Sequence, residues 1–202
     1  MTNLQNLPNI LPGNGLARYY ARLLSPPEVS RYLNTFIETL QWQQDEVTMF
    51  GKKIITRRKV AWYGDSSLAY TYSGTTRYAL PWTPQLLEVK NIVERACGHT
   101  FNTCLLNLYH NGSEAMGWHS DNEKELGNTP VIASVSLGAP RRFVFKHKKT
   151  KEKTEVLLEH GSLLIMEEET QQHWLHSLPA TIRVKDLRVN LTFRNIVVAA
   201  AK

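Results

Sequence analysis

The chain reads as a mostly β protein of the α+β class: a β jelly roll or double-stranded β-helix core buttressed by two N-terminal helices. Three observations predict it. Seven short segments after residue 100 carry strand patterning with turn residues between them. Two amphipathic stretches with capping signals precede residue 100. No repeat or long linker divides the 202 residues, a length that suits one well-cored domain.

Residues 1–24, with Pro8, Pro12, Gly13 and Gly15, read as an irregular leader, and their start lacks the basic and apolar regions of a signal peptide. SPPEVSRYLNTFIETL then begins a helix: Ser25 is the N-cap, Pro26 the first helical residue, and Glu28 completes a capping box. Val29, Tyr32, Leu33, Phe36, Ile37 and Leu40 fall on one helical face. VTMFGKKIITRRKVAWYG reads as a hairpin turning near Gly51. A second helix follows Thr83-Pro84, with Leu86, Leu87, Val89, Ile92, Val93 and Ala96 as apolar positions and Gly98 as its stop. The strand segments are FNTCLLNLYH, PVIASVSLG, RRFVFKHK, TEVLLEH, SLLIME, HWLHSL and RVNLTFRNI. The single domain thus divides into helices over 25–100 and a jelly-roll core over 101–197.

Hydrophobic residues make up 42% of the chain, which excludes a disordered protein. No apolar run approaches the roughly 20 residues of a membrane span. Cys97 and Cys104 match neither a zinc knuckle nor a redox pair, and they read as thiols in a reducing compartment. Lys and Arg exceed Asp and Glu by 24 − 18 = 6. The excess concentrates in GKKIITRRK (51–59) and KHKKTKEK (146–153), which suits a polyanionic partner such as nucleic acid.

GWHSDNEKELG (117–127) carries the chemistry. In an extended segment residues i and i+2 point the same way, so His119 and Asp121 can both face inward. Alone, an H-x-D tripeptide is commonly structural. A metal site needs a third ligand downstream, and QQHWLHSLP supplies His173 and His176. His176 is preferred because it shares a strand face with Trp174 while His173 takes the other. Two histidines and one carboxylate leave positions open, which suits a non-heme Fe(II) oxygenase.

RVNLTFR (188–194) alternates strictly. Arg188, Asn190, Thr192 and Arg194 share one face; Val189, Leu191 and Phe193 share the other. A solvated face is the ordinary fate of such a pattern. A buried arginine pair instead requires an anion, and a small dicarboxylate matches guanidinium geometry. Asn107 and Tyr109 share a face in LLNLYH and can help hold the same ligand.

Taken together, NLYHNGSEAMGWHSDNEKELG, PVIASVSLGAPRRFVFKHK, HGSLLIM, HWLHSLP and RVNLTFR resemble the AlkB family of Fe(II)/2-oxoglutarate-dependent dioxygenases, above all its duplex-DNA alkylation-repair members. The resemblance runs from about residue 46 to residue 196. It implies a nucleotide-recognition lid over the core, within residues 25–100. It implies His119, Asp121 and His176 as iron ligands, and Asn107, Tyr109, Arg188, Asn190 and Arg194 as the 2-oxoglutarate site. Arg188 would meet the distal carboxylate and Arg194 the keto-acid end. The implied reaction is oxidative demethylation of N-alkyl lesions such as 1-methyladenine and 3-methylcytosine. It uses Fe(II), 2-oxoglutarate and O2 on a flipped base and releases aldehyde, succinate and CO2. The enzyme would act as a monomer, in the nucleus of a eukaryote or the cytoplasm of a bacterium.

The same resemblance suggests how substrate is read. Phe50, at the apolar hairpin tip beside Gly51 and two lysines, matches an intercalating finger that fills the gap left by a flipped base; the plainer reading makes it core. Tyr70 and Tyr72 share a strand face near the damaged base, and Glu123 matches an acidic pocket position suited to cationic methylated bases. Arg57, Arg58, Lys59 and the lysines of 146–153 would contact phosphate. Ser120 and Asn122 depart from the usual basic and acidic residues, and MEEETQQ (166–172) adds glutamates near the approach to His176. These departures leave room for a demethylase of single-stranded DNA or RNA; a catalytically silent nucleic-acid-binding module is a further alternative, against which the intact triad and RVNLTFR argue.

Overall fold

A computed structural model describes residues 4–49, 52–65, 69–72 and 75–197. In chain order it contains β1 (Leu16–Tyr20), α1 (Pro26–Thr39), β2 (Gln43–Met49), β3 (Lys52–Gly64), β4 (Ala69–Tyr72), β5 (Thr75–Tyr78), β6 (Leu80–Pro81) and α2 (Pro84–Cys97). There follow β7 (Thr103–Tyr109), β8 (Met116–His119), β9 (Ile132–Gly138), β10 (Arg141–His147), β11 (Lys153–Leu158) and β12 (Ser162–Glu167). A one-turn helix α3 (Thr170–His173) leads into β13 (Trp174–Leu178), and β14 (Arg188–Arg194) closes the fold.

Both long helices start where their caps dictate. The Ser25 N–H donates to Glu28 Oε2 at 2.8 Å in the capping box of α1. Thr83 Oγ1 accepts from the Leu86 N–H at 3.2 Å, and Gly98 ends α2 with φ of +75°, a conformation glycine adopts without a Cβ clash.

The larger sheet runs β1-β12-β9-β14-β7-β3-β2, with β6 added beside β3; the smaller runs β11-β10-β13-β8. Their arrangement follows from alternation. Val189, Leu191 and Phe193 face a core shared with Val29, Tyr32 and Phe36 of α1 and with Leu86, Val89 and Val93 of α2. A second core, with Leu164, Met166, Phe145 and Trp174, draws on both sheets. Opposite faces of the larger sheet therefore serve the helices and the cavity between the sheets.

Two expectations need correction. The leader is not irregular throughout, because Leu16–Tyr20 pairs antiparallel with β12. Nor does the β core begin at residue 101, because β3 pairs with β7 along Lys59–Gly64. Both strands escape a purely local reading because long-range pairing makes them. Leu87 lies on the outer side of α2 and is 39% exposed, so it is not a core position. The β2–β3 and β4–β5 hairpins occupy the expected lid region. The hairpin turn at 50–51, including Phe50, lies outside the described residues, as do the side chains of Tyr70 and Tyr72. Among the described residues no helix is long and apolar enough to cross a membrane.

Gly138 is a point of backbone necessity. Its φ is +91°, and a Cβ there would stand 2.4 Å from the Leu187 carbonyl oxygen. That oxygen accepts the Ala139 N–H at 2.8 Å and precedes Arg188, so it has little freedom to retreat. Gly138→Ala should cost about 1–3 kcal/mol and lower the Tm by roughly 2–12 °C in a thermal melt.

Candidate active site

His119 ends β8, an edge strand of the smaller sheet, and His176 lies on the adjacent β13. Strand register pairs the two residues directly, and their Nε2 atoms face each other at 3.1 Å. Two nitrogens held side by side on a metal at about 2.1 Å would stand roughly 3 Å apart, so this spacing suits chelation. Asp121 Oδ1 lies 3.9 Å from His119 Nε2. Ligand atoms of His119, Asp121 and His176 all fall within 4.8 Å of one another, and they are the only such group among the described residues. Two imidazoles and a carboxylate on one side are a fitting donor set for non-heme Fe(II).

Each donor is prepared by its neighbours. His119 Nδ1–H donates to the Gly117 carbonyl at 2.8 Å, which leaves Nε2 with its lone pair toward the site. The His176 ring stacks on Phe143, with centroids 5.3 Å apart. Burial, reinforced by His119, pushes His176 down to about 3 against the opposing pull of Asp121, so it is a neutral ligand. Burial alone would raise Asp121, but Arg194, His176 and His119 outweigh it and hold the carboxyl at about 2. Arg194 Nη2 donates to Asp121 Oδ2 at 2.9 Å, and the Asp121 N–H donates to Gln171 Oε1 at 2.9 Å. Arg194 thus reaches the candidate metal ligand itself.

The cavity continues along β14 and β7, where Arg188 pairs with Tyr109 and Asn190 with Asn107. Every residue of β14 is buried because the strand lies between β9 and β7. The RVNLTFR polar face is therefore a cavity wall. Arg188 Nη2 donates to Ser136 Oγ at 3.0 Å and to Asn190 Oδ1 at 2.6 Å. Burial pushes its guanidinium down to about 10, with Tyr109 opposing and Arg141 adding to the shift, so it stays charged at neutral pH. Arg188 Nε and Asn107 Oδ1 are buried without a hydrogen-bond partner among the described residues. A cavity wall with an unpartnered guanidinium N–H suits a carboxylate.

The substrate-side expectations fare differently. Arg58 is not available to phosphate: it is 4% exposed, ion-paired with Asp45, and its Nη1 lies 3.1 Å from Met116 Sδ. Lys59 is half-buried on β3 and Arg57 is exposed. Glu123 caps a 3-10 turn (Lys124–Leu126) and does not line the cavity. Lys148 is engaged inward with Ser120 Oγ and the Gln171 carbonyl, while Lys146 sits 4.2 Å from the Trp118 ring centroid. Glu167 is bound by Arg18 and His99, which reduces the negative patch near His176. His173, the rejected candidate, points to Glu169.

Sequence reasoning missed Gln171, Phe143, Ser134 and Ser136. The two serines left a signal, polar residues two apart in the otherwise apolar strand β9. Gln171 left none, because a distant backbone N–H defines its role.

Residues 16–194 match the 2OG-Fe(II) oxygenase superfamily. The chain is 42% identical over 197 residues to the DNA oxidative demethylase ALKBH2 of Mus musculus, covering 92% of this chain and 82% of that protein. It is 42% identical over 177 residues to the Homo sapiens protein of the same name, covering 84% and 68%. It is 44% identical over 149 residues to the Homo sapiens alpha-ketoglutarate-dependent dioxygenase alkB homolog 3, covering 69% and 51%. The solved structure of OsALKBH1 shares the fold, with a TM-score of 0.64 over 92% of this chain and 99% of that one at 18% identity.

Proposed function

Because the chain belongs to the 2OG-Fe(II) oxygenase superfamily, we propose that it is a DNA oxidative demethylase in which His119, Asp121 and His176 hold Fe(II) and Asn107, Tyr109, Arg188 and Asn190 hold 2-oxoglutarate. The observation that carries the reading is the direct pairing of His119 with His176, with Asp121 beside them and the Arg188 wall in the same cavity. Iron held by His119, Asp121 and His176 would supply, with 2-oxoglutarate and O2, the oxidation of an N-methyl carbon that yields formaldehyde and the repaired base, with succinate and CO2 as coproducts.

The chain's own residues prepare that chemistry. Asp121 is ionised at any working pH, and Arg194 fixes its second oxygen. His119 turns its Nε2 to the site through the Nδ1 bond to Gly117, and Phe143 holds the His176 ring. Arg188 offers its guanidinium to the distal carboxylate, while Ser136 and Asn190 hold that guanidinium in place. With Arg194 engaged on Asp121, its part is to orient the metal ligand as much as to meet the keto-acid end.

The substrate is alkylated duplex DNA, met by a monomer, in the nucleus if the cell is eukaryotic and in the cytoplasm if it is bacterial. This reading rests on the similarity to ALKBH2 and on the sequence reading of Phe50 in VTMFGKK. A base must leave the stack to reach a cavity between two sheets, at a cost of a few kcal/mol in a duplex and little in a single strand. Formaldehyde release from 1-methyladenine DNA, paired and unpaired, tests it. Phe50→Ala should slow repair of the duplex much more than repair of the single strand. A loss on both substrates would make Phe50 a core residue, and full activity on both would make the tip idle.

A further inference from the structure

Arg141 opens β10 and is 1% exposed. Its guanidinium is held entirely by backbone oxygens, with Nη1 3.3 Å from the Asn111 carbonyl and Nη2 2.8 Å from Glu114 O and 3.0 Å from Pro179 O. Its Nε is buried without a hydrogen-bond partner among the described residues. The Glu114 carboxylate acts on it only through space, being hydrogen-bonded to His110. The Arg141 guanidinium carbon lies 5.7 Å from the centroid of the Tyr109 ring, and that of Arg188 lies 5.5 Å from the same centroid. The hydrogen bonds of Arg188 likewise go only to neutral oxygens. Arg58 lies 6.0 Å from this ring, but its charge is met by Asp45. Two buried cations thus lie near one phenol ring, and among the described residues no carboxylate is hydrogen-bonded to either. Like charges in a buried place repel unless an anion joins them.

We propose that Arg141 is a positioning residue for the cosubstrate: with Arg188 it lies beside Tyr109 and makes that end of the cavity favour a 2-oxo acid carrying a second carboxylate. Arg141 acts through Tyr109 and Arg188, since it does not itself line the cavity. The inference rests on the reading that 2-oxoglutarate meets Arg188. It differs from a plain structural role, in which Arg141 only ties the loop after β7 to the loop after β13.

Anaerobic calorimetric titration of the Fe(II)-loaded protein separates the two roles. The titrants are 2-oxoglutarate and 2-oxovalerate, a 2-oxo acid of the same chain length without the second carboxylate. Arg141→Gln should raise the Kd for 2-oxoglutarate about tenfold and move that for 2-oxovalerate by less than about twofold. Arg141→Lys keeps the charge and should stay within about threefold of the parent for both. Equal weakening for both acids in Arg141→Gln, or an unchanged Kd for 2-oxoglutarate, overturns the proposal. Should Arg141→Gln lose its cooperative melt, Arg141→Lys decides: a retained preference for the dicarboxylate supports the proposal and a lost one overturns it. Arg188→Ala guards the premise. If it leaves 2-oxoglutarate binding unchanged, the cosubstrate reading itself fails. If it weakens binding while Arg141→Gln does not, only the role of Arg141 falls.

Discussion

His176→Ala abolishes formaldehyde release and iron binding in a chain that still melts cooperatively. This is the largest effect expected of any single substitution. The side chain is 3% exposed, yet its Nε2 faces the cavity and its ring rests on one face of Phe143, so its loss opens space without stranding a charge. Two ligands remain, too few to hold the metal against buffer. Asp121→Ala should abolish turnover too, but with a lower Tm, because Arg194 then loses the carboxylate it binds; removing one member of a buried pair costs about 3–5 kcal/mol. Metal content, a thermal melt and formaldehyde release report the three quantities. Full turnover by iron-supplied His176→Ala would remove this histidine from the site.

Arg188→Ala should raise the KM for 2-oxoglutarate by about 10- to 150-fold, the equivalent of roughly 1.5–3 kcal/mol for a charge-assisted hydrogen bond. The metal content should stay near that of the parent, because Arg188 hydrogen-bonds to Ser136 and Asn190 and not to the metal-side residues. Arg194→Ala should behave otherwise. It withdraws the support of Asp121 and should weaken metal binding about 10- to 100-fold, the usual loss when a ligand's own partner is removed. A normal KM and turnover in Arg188→Ala would contradict the cosubstrate assignment.

Which parts of this site were open to sequence reasoning depends on the range of the interaction. His119 and Asp121 were legible because strand alternation acts over two residues. The same rule separated His176 from His173; in the structure His176 lines the cavity and His173 lies beside Glu169. The polar face of β14 was legible as a face, but not whether water or a ligand would meet it. Arg58 shows the limit. It lies in a basic run that suggests phosphate contact, yet Asp45 and the β7–β8 connection enclose it.

The sequence by itself determined the local rules: the capping of α1 and α2, the strand segments, and which residues of each strand share a face. Those follow from backbone geometry and from side chains a few positions apart, and neither needs a partner strand. Tertiary structure alone decided what each face meets. It placed β14 between β9 and β7, which buries its arginines, and set His176 opposite His119 in register. It also divided the arginines, sending Arg194 to Asp121 and bringing Arg141, 47 positions before Arg188 in the chain, beside Tyr109 and Arg188. Long-range pairing and the requirement that a buried charge find compensation made those choices, and neither acts within a short window of sequence.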